Sequence, residues 1–191
     1  MRGSYPILTT DAFIIYTRGV GEADRIITVL TKSNGLMNIY ARSIRKDGAK
    51  MRGDTKPYAR VSLSVVLGKR TILKDITITD TLDLLWRSKE KYTAFVTLLH
   101  RLRTLIPITE SCDASVFQTI ETATRLLQES EPEHAQHILL IAQVMVLAAL
   151  GYVSDQAVVP THFEDILMET VANPHRQKVL QQHLRDALYH Q

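Results

Sequence analysis

LMNIYARSIRKDGAKMRGDTKPYARVSLSVVL, residues 36–67, is the stretch on which the fold turns. Its ends, LMNIYA and VSLSVVL, are rich in β-branched and large apolar residues and read as strands. Its middle is different. Arg42, Arg45, Lys46, Lys50, Arg52, Lys56 and Arg60 stand there against Asp47 and Asp54, a local excess of +5. Large hydrophobics are nearly absent between Ile44 and Tyr58, and Gly48, Gly53 and Pro57 break any regular element. A long basic loop between two strands of a small sheet fills a core poorly and meets phosphates well. The competing reading is a solvated connection, since charge runs are usually that.

Outward from this stretch the first half continues as short strands and turns. AFIIYT begins at Ala12 and is followed by a break at Arg18-Gly19-Val20-Gly21-Glu22. RIITVLT follows, then the tight turn Ser33-Asn34-Gly35, where Asn-Gly tolerates positive φ. After the basic loop RVSLSVVL alternates, and Gly68-Lys69-Arg70 turns the chain into TILKDITITD. Five short strands over residues 11–80 must hide their edges, which a closed barrel does. The OB barrel is the commonest five-stranded solution; an SH3-like barrel fits the strand count almost as well.

Beyond Thr79 the period changes. Tyr92, Phe95, Val96, Leu98, Leu99, Leu102 and Leu105 recur at three- and four-residue steps up to Pro107. Asp113 is placed to cap a second helix running to Gln128, and Glu131-Pro132-Glu133 opens a third that ends at Gly151. That third helix is apolar around most of its circumference from Ile138 and reads as the centre of a helical layer. Shorter helices are expected over 162–171 and 174–190. The expected class is therefore α+β: an OB-type barrel domain over residues 1–80 followed by an all-helical domain over residues 81–191.

The net charge of +3 conceals an asymmetry. Residues 1–80 carry a net +7 and residues 81–191 a net −4, which suggests two modules with different partners. The lone Cys112 excludes an internal disulfide and a Cys-rich zinc knuckle, and fits a reducing cytoplasm. The N-terminal MRGSYPILTTDAFIIY lacks the features of a signal peptide, and the longest apolar run, Ile138–Leu150, is too short to span a bilayer.

No catalytic constellation emerges. His134 and His137 have metal-compatible spacing but no third ligand of matching spacing. Cys112 has no sequence-visible base. Gly19-Val20-Gly21 lacks the third glycine and the Lys-Ser/Thr of a P-loop, and reads as a turn. Glu22 and Asp24 read as turn residues or as partners of Arg25 rather than as an acid–base pair.

Gly21-Glu22-Ala23-Asp24-Arg25-Ile26-Ile27-Thr28, with Thr31, Gly35 and Ala41-Arg42…Arg45, resembles the N-terminal signature of the recombination mediator RecO family, YGExDRIVTLxT…G…ARGAR. Lys56-Pro57-Tyr58 is similar to the family's QPF, and Leu147 to Tyr152 to its LLGY helix end, so the resemblance covers roughly residues 11–153. Two departures stand out. Ser43 replaces the glycine of ARGAR, and Tyr152-Val153-Ser154-Asp155-Gln156-Ala157 lacks the cysteines with which many members bind zinc, so no cofactor is carried over.

The resemblance implies a protein that is not an enzyme. It implies binding to single- and double-stranded DNA, annealing of complementary strands, and help in loading recombinase. Its implied partners are a RecR-like ring protein and single-strand-binding protein, its location the cytoplasm and nucleoid, with no membrane contact. Annealing needs phosphate neutralisation without base reading. Arg42, Arg45, Lys46, Lys50 and Arg52 are the expected DNA contacts, with Lys69 and Arg70 in the next turn. Tyr40 and Tyr58 flank the loop as stacking candidates, and Tyr58 reads equally well as core. Arg101 and Arg103 in the acidic half are candidates to hold an acidic peptide. The alternatives are a generic OB-fold RNA-binding module and a helical protein-interaction module on a barrel scaffold.

Overall fold

The computed structural model describes residues 5–108, 113–153 and 163–189. Five strands come first: β1 (Ile7–Val20), β2 (Asp24–Thr31), β3 (Gly35–Ala41), β4 (Arg60–Val66) and β5 (Ile72–Asp80). They close into a barrel in the order β1-β2-β3-β5-β4, antiparallel except where β5 meets β3 through Tyr40 and Ile72. This is an OB-type barrel followed by helices, as the strand and helix periods predict.

Closure depends on the length of β1. Its first half, Ile7–Phe13, pairs with β4, and Ala12–Val20 pairs with β2, with an irregularity between Ile14 and Tyr16. At that bend Ile14 donates to the Ala59 carbonyl (3.0 Å) and accepts from the Tyr58 amide (2.8 Å). An irregularity of this kind lets one strand serve two partners in a small barrel. Inward residues alternate with outward ones as the pleat requires. On β4, Val61, Leu63 and Val65 are buried while Ser62 and Ser64 lie between them on the other face. They meet Ile14, Ile27, Val29, Ile39 and Ile76 in one core. Each such side chain, fully buried, stabilises the fold by about 1.5–3 kcal/mol.

Two expectations are corrected here. The break read at Arg18-Gly19-Val20 is strand: β1 runs through Val20, and only residues 21–23 turn. The basic connection also does fill part of the core. Ile44 and Ala59 join the barrel core, Met51 packs against it, and Lys50–Thr55 forms a 3₁₀ turn against β5. The connection plugs the barrel, a role hidden by its charge.

The helices are α1 (Asp83–Trp86), α2 (Lys89–Leu105), α3 (Ala114–Glu129), α4 (Ala135–Ala149), α5 (Phe163–Ala172) and α6 (Pro174–Tyr189). α4 is the buried centre, with Ile138, Ile141, Val144 and Leu147 fully covered, and α3, α5 and α6 pack against it. Asp113 caps α3 by accepting from the Ser115 amide at 2.8 Å. Gly151, at φ +81°, ends the α4 segment, where the Tyr152 amide reaches back to the Leu147 carbonyl (2.9 Å). The short α1 escaped the periodicity reading, being a single turn.

The chain divides into two compact units, Met1–Leu82 with Arg103–Cys112 and Asp83–Leu102 with Asp113–Gln191. Among the described residues no helix is long and apolar enough to cross a membrane. Cys112, Met1–Ser4 and the cysteine-free Ser154–Ala157 lie outside the described residues.

Candidate nucleic-acid interface

Strand register places a row of side chains across the outer wall of the barrel. Arg18 pairs with Ile26 and Ile26 with Tyr40, so these three face out side by side; Tyr16, Thr28 and Asn38 form the next row. Thr28 Oγ1 donates to Asn38 Oδ1 at 2.8 Å. The β4–β5 turn rises beside them, tied down where the Tyr40 amide donates to the Thr71 carbonyl (2.9 Å). This brings Lys69 and Arg70 over the wall and sets the Arg70 guanidinium 5.9 Å from the centre of the Tyr40 ring. Between them lies a groove of about 530 Å³ with an Ile26–Asn38–Tyr40 floor and Arg18, Lys69 and Arg70 on its sides. In the next row, the Arg103 guanidinium stacks 4.4 Å from the Tyr16 ring.

One end of the groove is a rim held by Asp24. Its carboxylate accepts from the Ser43 amide at 2.7 Å and, through a short contact, from the Tyr40 hydroxyl. The Ser43 amide and then the Tyr40 hydroxyl hold the Asp24 carboxyl below its usual range, with Arg42 and Lys46 adding to the effect. Donation to Asp24 pushes the Tyr40 hydroxyl up. Asp24's folded pKa is depressed, so its stabilising contribution is complete above the ordinary carboxylate value of about 3.9 and is lost as pH falls through the folded value. Asp24→Asn should therefore lower Tm at neutral pH, and the gap to wild type should narrow on acidification below about pH 4. Thermal melts across pH check this; a gap that is constant with pH contradicts it.

The rim also includes the departure at Ser43, which takes φ +53°. That left-handed conformation suits the glycine of the resembled motif better than any side chain. Ser43→Val should destabilise by about 1–2 kcal/mol, because a β-branched residue resists positive φ, while Ser43→Gly should be tolerated. Denaturant midpoints for the two variants separate these outcomes.

Arg45 is a rim fastener. Its amide donates to the Ala23 carbonyl (2.8 Å) and its Nη1 to the Gly21 carbonyl (2.9 Å). A Cβ on Gly19 would lie 2.6 Å from that Nη1, so glycine there lets the guanidinium lie against the strand. Arg25 points the other way. Its Nη1 donates to Thr55 Oγ1 (2.6 Å) and to the Thr55 carbonyl (3.2 Å), fixing the 3₁₀ turn. Asp24 and Arg25 thus serve different neighbours rather than each other.

The expected DNA contacts fall into three sets. Lys69 and Arg70 line the groove; Arg42, Arg45 and Lys46 surround the Asp24 rim; Lys50 and Arg52 sit on the plugging turn. All seven are exposed. Arg52 pairs with Asp47 at 3.2 Å on the surface, a contact worth at most about 1 kcal/mol. The side chains of Arg42, Lys46, Lys50 and Lys69 make no hydrogen bond or ion pair among the described residues. Arg18 falls in the stretch whose glycines read as a turn, yet it lies on β1 and lines the groove, and its outward parity with Tyr16 is the sequence signal for that. Tyr58 is half-buried, with φ 66°, beside the plug. Arg103, grouped with Arg101 as a peptide site in the helical half, instead stacks on Tyr16 in the barrel's unit.

Elsewhere, His134 and His137 stand with ring centres 6.4 Å apart, and among the described residues no three His, Cys, Asp or Glu side chains gather as a metal site. A cavity of about 490 Å³ in the helical unit is bordered by Ser115, Thr119, Met145, Phe163 and Arg125. Arg125 is held there by Glu164 (2.6 Å) and Glu129 (3.0 Å).

Residues 1–85, which include the whole barrel, match the family described as recombination protein O N terminal. The chain is 29% identical over 150 residues to the DNA repair protein RecO of Thermodesulfovibrio yellowstonii, covering 77% of this chain and 58% of that protein. It is 28% identical over 142 residues to the RecO protein of a Nocardioides species, covering 73% and 50%. To that of Dehalococcoides mccartyi it is 30% identical over 146 residues, covering 75% and 56%. The chain thus spans about half the length of the curated relatives it matches. An OB-type barrel occupies the matched residues, and the likeness to RecO proteins continues well into the helices, so the chain is similar to RecO proteins over most of its own length.

Proposed function

We propose that this chain is a DNA repair and recombination factor that binds DNA on its barrel, anneals complementary single strands and assists recombinase loading. The observation that carries the reading is the outer-wall groove, where Arg18, Lys69 and Arg70 stand around the Tyr40–Ile26 floor. An apolar and aromatic floor with cationic sides suits a single strand: bases meet the floor and phosphates meet the cations. Arg42 and Lys46 extend the charge along the rim, and Arg45 holds the rim in shape. Lys50 and Arg52, on the plug, contribute a weaker share, since Asp47 and Asp54 offset them.

This is binding work without a chemical step. Two strands repel, and a surface that releases counterions holds both at low electrostatic cost. The likeness to RecO proteins supports a RecR-like ring protein and single-strand-binding protein as partners and the cytoplasm, at the nucleoid, as the place of action. We assign DNA contact chiefly to residues 1–80 and protein contact chiefly to residues 81–191, whose net charge of −4 disfavours broad phosphate binding.

A strand-annealing assay tests the proposal. The purified chain should accelerate pairing of complementary strands with or without chelator, and Lys69→Glu with Arg70→Glu should remove most of the acceleration. An intact rate in a folded double variant would place annealing elsewhere.

A further inference from the structure

We propose that Trp86, stacked on Tyr92 and followed in sequence by Arg87 and Lys89, forms a second nucleic-acid contact, one that takes an unpaired base of a single strand. Trp86 ends the one-turn helix α1 and belongs to the other unit from the groove. Its ring stacks on Tyr92 with centroids 4.6 Å apart and an interplanar angle of 29°. It nevertheless remains 53% exposed, and Leu84 beside it 47%. An indole is a large apolar surface, and solvent exposure of it next to another large apolar side chain marks an interaction site.

The surrounding charges select the occupant. The segment Trp86-Arg87-Ser88-Lys89-Glu90-Lys91-Tyr92 holds three cations and one acid. Lys91 is turned to the protein, donating to the Gln128 carbonyl at 3.2 Å near the end of α3. Glu90 is held by the Ser88 hydroxyl at 2.9 Å. Arg87 and Lys89 remain exposed on either side of Ser88. An exposed aromatic face in a segment with cations suits a base and its neighbouring phosphates, whereas an acidic peptide would use the cations and leave the stack idle. In a duplex the base faces are occupied by neighbouring pairs, so the site favours single strands. Tyr92 braces the indole in advance, which limits the side-chain freedom lost on binding. The choice of a nucleic acid rests on the DNA-binding reading above; the exposed stack does not.

Trp86 is the only tryptophan in the sequence, so intrinsic emission reports on this site alone. Unlabelled oligothymidylate is titrated into the full chain, and binding is followed separately by the anisotropy of a labelled strand. Emission should be quenched saturably over the concentration range of binding. An abasic strand of equal length should bind without quenching. Trp86→Leu should weaken affinity about 5- to 150-fold, the range for loss of one stacked base. Arg87→Glu with Lys89→Glu, which keeps the indole, should move the quenching to higher strand concentration. A strand that binds while emission stays constant, or quenches equally when abasic, overturns the site and leaves the barrel reading intact. Absence of strand binding by anisotropy overturns both. Quenching by polyglutamate and not by the strand overturns it in favour of a protein-docking surface.

Discussion

Reversing Arg18, Lys69 and Arg70 together to glutamate is expected to weaken single-stranded DNA binding on the order of a hundredfold at physiological salt. The three cations border one groove, and all are exposed, so reversal removes phosphate contacts and adds repulsion at the same place. The loss should be similar for every sequence tested, because phosphate contacts carry no base information. The fold should survive. None of the three belongs to the barrel core, and exposed substitutions away from special features usually shift stability by less than about 0.5 kcal/mol. Arg70 also covers the Tyr40 ring, so Arg70→Leu, which removes the charge and keeps some cover, separates loss of charge from exposure of the floor. Anisotropy titration alongside a thermal melt reads both effects.

The second large effect concerns stability. Thr55→Val should cost about 2 kcal/mol, a large share for a substitution that conserves volume. Thr55 is completely buried. Its hydroxyl accepts from Arg25 (2.6 Å) and donates to the Arg52 carbonyl (3.1 Å). Valine preserves the shape and leaves that guanidinium and that carbonyl each short of a partner, which is the expensive way to lose a hydrogen bond. Since the plug carries Lys50 and Arg52 and buries Met51 against the core, its release should also raise proteolysis between Gly48 and Pro57. An unchanged denaturant midpoint and cleavage pattern would show that the plug is held by packing alone.

The barrel was legible because its strands alternate cleanly, as Val61, Leu63 and Val65 do between serines. The helical centre was legible from the nearly unbroken apolar run that became α4. The candidate site was legible only as charge. Arg45 and Lys69 look alike in sequence, yet one is bonded to the Gly21 carbonyl and the other lines the groove. That difference arises from strand register and turn position, which sequence periodicity does not specify. Arg18 was hidden because Gly19 and Gly21 on either side of Val20 mimic a turn, whereas Gly19 is in the strand and accommodates Arg45. The plug was concealed for the opposite reason: Ile44, Met51 and Thr55, the residues that bury, are scattered among six cations between Arg42 and Lys56.

The central claim is that the groove and its rim, rather than the plug, carry the DNA, and the salt dependence of affinity tests it most directly. If Arg18, Arg42, Lys46, Lys69 and Arg70 each neutralise one phosphate, log affinity for a single strand should fall with log salt at a slope near −3.5, from about −0.7 per contact. Reversing Arg18, Lys69 and Arg70 should flatten the slope to about −1.4, while reversing Lys50, Arg52 and Lys56 should leave it close to wild type. A slope unmoved by the groove reversal in a folded protein, or flattened only by the plug reversal, would contradict the account.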